Sequence, residues 1–215
     1  MSYVFDELPL SPVSEGTTFV VAGPGRLASR LTEQLVLAGR NHDEGMAIVS
    51  TNSGGGAIAA DSANAYPSLD TSRLGVIDAT GRRDEETDTD AWISSVSSPA
   101  DLTGISIQFS RLYSAFLARD IARIRTCFDS VSMLLMYTNF NTITRFVHTL
   151  SGRIDATDGV GFFVVDPSMH DRAVTYTLGN LCDGTIEVRL ADGGGAELRV
   201  DGVRGQPDEW TGATL

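Results

Sequence analysis

A β-branched run at residues 17–22 (TTFVVA) ends in Gly23-Pro24-Gly25, and residues 26–38 then carry Leu27, Leu31, Leu35 and Ala38 at helical spacing. Strand, glycine turn and helix together form an anion cradle, because backbone amides and a helix N-terminus face the ligand. The full phosphate-binding pattern is G-x-x-x-x-G-K-[ST], whose lysine reaches the β- and γ-phosphates and whose hydroxyl ligates Mg²⁺. Laid on Gly23, the chain reads Gly23-Pro24-Gly25-Arg26-Leu27-Ala28-Ser29-Arg30. The first glycine matches. Ala28 stands at the second glycine, Ser29 at the lysine and Arg30 at the hydroxyl. No other register restores an ammonium, since all 16 basic residues are arginine. Arg26 and Arg30 are the cations nearest the turn, and a guanidinium is a planar fork, not a compact point charge.

Two other segments place ionisable groups at strand ends. Residues 126–129 (TCFD) read as a strand closed by Asp129, a carboxylate able to hold Mg²⁺ if a nucleotide binds, or to cap a turn. Residues 160–166 (VGFFVVD) are the clearest buried strand, and Asp166, His170 and Asp171 follow at the end where α/β sheets hold ligands. Asp171 reads as the N-cap of the next helix and not as a metal ligand. Ser29 and Ser50 lie in no G-x-S-x-G context and take no catalytic role.

The elements around these residues alternate. Further strands are expected at 45–50, 74–78, 185–190 and 197–200, with helices at 57–65, from 98 to about 124, from Asn139 or Asn141 through Leu150, and at 171–181. Such alternation implies an α/β fold with a mainly parallel sheet flanked by helices and closed by a C-terminal hairpin. Phe109, Tyr113 and Phe116, with Met133 and Met136, read as core packing. Residues 80–90 (TGRRDEETDTD) are a solvated acidic loop, and Trp210 is a candidate anchor for a partner. Residues 1–15 are an N-terminal extension and 206–215 a C-terminal tail around a domain of 16–205.

Composition excludes several classes. With 28 acidic residues against 16 arginines the net charge is −12, and the arginines are scattered, so nucleic acid is not an expected partner. Apolar runs fall far short of the ~20 residues of a membrane span, and no positively charged leader opens the chain. A cytoplasmic protein with reduced Cys127 and Cys182 is expected. The aspartate-rich, lysine-free composition is similar to that of proteins from extreme halophiles, where molar salt screens self-repulsion. An acidic protein with a basic partner is the rival reading.

The order of segments resembles the RecA/KaiC-like ATPases, a P-loop NTPase fold, over roughly residues 16–205. Cys127-Phe128-Asp129-Ser130 looks like the family's Walker B strand end, and residues 137–153 resemble the helix after it. Val164-Val165-Asp166-Pro167 and the Cys182-Asp183-Gly184 ending resemble the next strand and the final helix–strand passage. The likeness is strongest to diverged haloarchaeal members. The resemblance implies a degenerate nucleotide site of Gly23, Gly25, Arg26, Ala28, Ser29, Arg30 and Asp129. It also implies hydrolysis by a loop lysine, a loop hydroxyl, the Walker B aspartate and a glutamate ending the second strand. Only Asp129 has a counterpart, because the second strand ends Ser50-Thr51-Asn52-Ser53. The leading expectation is therefore a pseudo-ATPase without a cofactor, regulatory or scaffolding, that contacts proteins or RecA-like subunits in a homo- or hetero-oligomer. Two alternatives stand beside it: an ATP- and Mg²⁺-binding signalling ATPase with an altered loop, and an inactive subunit beside an active paralogue.

Overall fold

Strands that are apolar on both faces need cover on both sides, and this chain provides it with two helical layers. The computed structural model describes residues 2–82 and 88–215. In chain order its elements are β1 (Ser2–Tyr3), β2 (Val13–Ser14), β3 (Thr18–Ala22), α1 (Gly25–Leu37), β4 (Gly45–Ser50), α2 (Gly55–Ala65), β5 (Leu74–Asp78) and β6 (Trp92–Ser95). There follow α3 (Leu102–Leu117), β7 (Ile124–Phe128), α4 (Val131–Tyr137), α5 (Phe140–Ala156), β8 (Val160–Val165), α6 (Arg172–Gly179), β9 (Gly184–Leu190), β10 (Ala196–Asp201) and β11 (Thr211–Ala213).

The main sheet runs β11-β10-β9-β3-β8-β7-β4-β5-β6, parallel from β9 to β6 and antiparallel across β9-β10-β11. Side chains alternate across it. Val20, Val49, Ile77, Phe128 and Phe163 face α3 and α5, while Phe19, Val21, Ile48, Val76, Phe162 and Val164 face α1 and the N-terminal segment. The expected α/β architecture with its C-terminal hairpin is present. All seven parallel strands end at one edge, so Gly23, Ser50, Asp78, Asp129 and Asp166 share that edge.

Several boundaries differ from expectation. The helix expected to run to about 124 stops at Leu117. Asp120 takes φ 60° and the Ile121 amide returns to the Phe116 carbonyl at 2.9 Å, a left-handed stop usually made by glycine. β7 therefore begins at Ile124, and Asp129 lies just past it. β6 and α4 were not expected; β6 is short and sits on the sheet edge. Phe109, Tyr113 and Phe116 are core, but Met136 is 65% exposed on α4, and Met133 is half-buried. Both cysteines are free, Cys127 buried and Cys182 half-buried. The acidic loop falls partly outside the described residues. Among those described, no helix is long and apolar enough to cross a membrane.

Segments read as appendages are built into the body. Tyr3, Phe5, Leu8 and Val13 are buried in the core, and residues 211–213 form the last strand. The N-terminal segment is held by Arg125, a fully buried guanidinium. Its Nε donates to the buried Glu44 carboxylate, Nη1 to the Leu35 carbonyl at 3.0 Å and Nη2 to the Val4 carbonyl at 2.8 Å. The Tyr3 and Phe5 rings lie 5.4 and 4.9 Å from it. A buried pair is costly to break because removing one partner strands the other's charge. Glu44→Ala should lower unfolding free energy by about 3–5 kcal/mol and keep that deficit in molar KCl. Glu197→Ala, which breaks the solvent-exposed pair with Arg189, should cost under about 1 kcal/mol. Denaturant titrations at low and high salt measure both.

Candidate functional site

The turn after β3 is short. β3 stops at Ala22 and α1 starts at Gly25, so Gly23 and Pro24 alone join them. The Leu27 and Ala28 amides already donate to the Pro24 carbonyl at 2.8 and 3.0 Å, which closes the first helical turn. Arg26, Ala28, Ser29 and Arg30 are thus residues of α1, not of a loop. Ala28 is fully buried against the core, Ser29 is half-buried, and Arg26 and Arg30 are exposed. Gly23 answers a packing need: a Cβ there would come 2.5 Å from Val188 Cγ1 and 2.6 Å from the Val188 carbonyl.

An N-terminal helix amide seeks an acceptor, and in α1 that acceptor is internal. Pro24 offers no side-chain cap, and the Gly25 amide donates to Asp166 Oδ2 at 2.8 Å. Asp166 Oδ1 accepts from the Ser168 amide at 2.9 Å and the Ser168 hydroxyl at 2.6 Å. Its own amide donates to the buried Ser132 hydroxyl at 2.9 Å. Partial burial raises the Asp166 pKa, but the Ser168 and Gly25 donors and the nearby His170 outweigh it and hold the carboxyl below its usual range. A carboxylate thus sits where a cradled phosphate would meet the helix.

Asp129 serves a different turn. Oδ2 accepts from the Ser50 hydroxyl at 2.6 Å, while Oδ1 accepts from the Thr51 amide and hydroxyl, both at 2.9 Å. The carboxylate therefore ties the end of β7 to the turn after β4. Burial pushes its pKa up, and the Ser50 and Thr51 donors only partly offset this. β8 lies between β3 and β7, so Asp166, not Asp129, is the acid beside Gly23 and Gly25. The structure brings Gly23, Gly25 and Asp166 together. It sets Asp129 with Ser50 and Thr51, and it leaves Arg26 and Arg30 on the outer surface of α1.

The remaining candidates do not converge. Among the described residues no group of three or more His, Cys, Asp and Glu is placed to hold a metal. Asp171 occupies the N-cap position of α6, but its side chain makes no capping hydrogen bond, a correction to its expected role. Sequence reasoning missed Asp166 as the partner of the glycine turn. The available signal was an aspartate closing the most apolar strand.

Two outcomes follow for this edge. Asp166→Ala, which leaves the Gly25 amide without its acceptor, should cost about 0.5–2 kcal/mol, as loss of a helix cap does. For Asp129 the sign comes from linkage. A raised folded-state pKa means proton uptake favours the folded state, with the gain full below the unfolded value near 3.8 and lost as pH rises through the folded value. The stability of wild type relative to Asp129→Asn should therefore increase as pH falls through the folded value towards 3.8, and denaturation curves at stepped pH report it.

The fold is similar to that of a KaiC-like protein from the hyperthermophilic archaeon Pyrococcus horikoshii OT3, with a TM-score of 0.62 at 11% identity, covering 92% of this chain and 83% of the other. The domain thus shares the α/β fold of that KaiC-like protein. No curated protein matches the chain. Residues 16–188 match the profile of the Family of unknown function (DUF7504), and the chain belongs to that family.

Proposed function

We propose that this chain is a non-hydrolysing regulatory or scaffolding protein that uses a RecA/KaiC-like ATPase fold as a body for contacts with other proteins. The observation that carries the proposal is the turn after β3: two residues long, and already satisfied by Asp166. Phosphoryl transfer is catalysed almost wholly by positioning and charge stabilisation, and three of the four residues that would supply these differ here. Ser29 stands in place of the lysine. Arg30 occupies the position of the metal-binding hydroxyl, and its exposed side chain lies on α1. The second strand ends in Ser50 and Thr51 instead of a base. Asp129, the counterpart of the metal-binding acid, spends its oxygens on Ser50 and Thr51.

Exposed apolar side chains support a role in protein contacts. Met136 and Tyr137 end α4, Met169 follows β8 and Tyr176 lies on α6; they are 65%, 55%, 47% and 73% exposed. These segments follow β7 and β8, whose ends share the edge with the glycine turn. Exposed aromatic and thioether side chains are enriched where proteins meet.

Purified protein in molar KCl with Mg²⁺ should give no saturable signal with a fluorescent ATP analogue and no phosphate release above the buffer blank. Turnover that disappears on Arg30→Ala or Asp129→Ala would overturn the proposal.

A further inference from the structure

Carboxylates are spread along most of this chain, but one stretch is nearly free of them. Between Leu102 and Ile154 only two of the 28 acidic residues occur, Asp120 and Asp129, against six of the 16 arginines. Asp120 lies in the turn after α3, and Asp129 is bonded into the sheet edge by Ser50 and Thr51. The other 26 carboxylates stand against ten arginines. The net charge of −12 is therefore uneven: this stretch is positive, and the rest of the chain carries the negative charge.

Within it, α3 and α5 each turn one face to solvent. Exposed residues recur at Ile107, Arg111 and Ser114 on α3 and at Arg145, Thr149 and Gly152 on α5, the i, i+4, i+7 spacing of a helix face. Arg153 joins the two helices, because its Nη1 donates to the Ser106 carbonyl at 3.1 Å and to the Ser110 hydroxyl at 3.0 Å. Arg111 and Arg145 have no hydrogen bond or ion pair among the described residues. By contrast, Arg40, Arg73, Arg189 and Arg199 elsewhere are each paired with a carboxylate.

Apolar side chains accompany these cations. Ile107 and Leu117 of α3 are 48% and 50% exposed, and Met136 and Tyr137 stand exposed just before α5. Arginine, methionine and aromatic residues with few carboxylates and no lysine are the composition of a protein interface. Small residues leave room for a partner, since a Cβ added at Gly152 would meet nothing within 4 Å. Charge selects that partner. Over most of the surface an approaching acidic protein meets like charge, which opposes association. On this face it meets guanidiniums free of carboxylates, whose planar forks suit that group.

We propose that the α3–α5 face docks an acidic, amphipathic protein segment, with its carboxylates on Arg111, Arg145 and Arg153 and its apolar side chains over Ile107 and Leu117. This inference rests on the reading of the chain as a body for protein contacts and names the chemistry of the partner.

Fluorescence anisotropy can use as its probe a labelled helical peptide of about 18 residues, with Leu at every third or fourth position and Glu elsewhere. The same peptide with Gln for Glu is the control for charge. At the lowest KCl concentration that keeps the protein folded, the Glu peptide should bind saturably and the Gln peptide at least about tenfold more weakly. Arg111→Gln and Arg145→Gln, both at exposed positions, should each weaken binding about two- to fivefold, and the double variant about tenfold. Arg26→Gln, on the exposed face of α1, should change nothing. The proposal is overturned if the Glu peptide does not saturate, if the Gln peptide matches it, if the double variant binds like the wild type, or if Arg26→Gln weakens binding as much. Oligodeoxythymidylate that binds as well and is lost in the double variant would overturn it in favour of nucleic acid. Self-association in sedimentation velocity that the double variant abolishes would overturn it in favour of a second copy. If the peptide fails while phosphate release stays absent, the acidic partner falls and the non-hydrolysing reading stands; ATP turnover removes that reading whatever the peptide does.

Discussion

A carboxylate drawn partly out of water needs donors, and a chain without lysine must find many of them in its own amides and hydroxyls. The edge where the parallel strands end is organised by that constraint. Asp129 gathers Ser50 and Thr51, Asp166 gathers Gly25 and Ser168, and Asp78 accepts from the Thr80 amide at 2.8 Å. Each acid ends one strand and fixes a turn next to it or across the sheet. In the phosphate-binding pattern, the same edge presents its donors to a ligand. Here the donors are spent inward, and the loops are held in place without one.

The opposite edge uses aspartate in another way. Asp43, Asp120 and Asp158 have φ of 55°, 60° and 53°, the left-handed region where glycine is the usual occupant. Each is followed by an amide that reaches back five residues: Glu44 to Gly39, Ile121 to Phe116, and Gly159 to Ile154. Three helical segments stop this way before β4, β7 and β8. Aspartate tolerates the conformation better than most side chains because it is short and polar. An acidic chain can thus end its helices with carboxylates at solvent-facing turns.

This usage explains what could be read from the sequence. The parallel sheet was legible because its strands are apolar runs of five or six residues bounded by turn formers, and long helices such as α1 and α5 carry regular apolar stripes. The end of α3 was not, since nothing in Ala118-Arg119-Asp120 signals a stop when glycine is the signal sought. β6 was missed because Trp92–Ser95 is short and half-exposed, and its pairing depends on β5 beside it. The N-terminal segment looked like an appendage because its importance rests on Arg125, 121 residues away from Val4 along the chain. At the site, the absence of lysine was plain, but the contact between Asp166 and Gly25 spans 141 residues, and only the fold brings them together.

The lysine-free sequence and the short turn after β3 occur together in this chain. A glycine-rich loop can wrap a phosphate only if several amides are left free of other partners. Here the helix starts at Gly25, two residues after the strand, and the amides of Leu27 and Ala28 are already bonded within its first turn. An ammonium placed at Ser29 would sit on the body of α1, beyond that closed turn, with no cradle beneath it. A side chain at Gly23 would run into Val188 of β9, so this packing calls for glycine there. Packing between β3 and β9 and the internal carboxylate at Gly25 together hold the turn in its closed form.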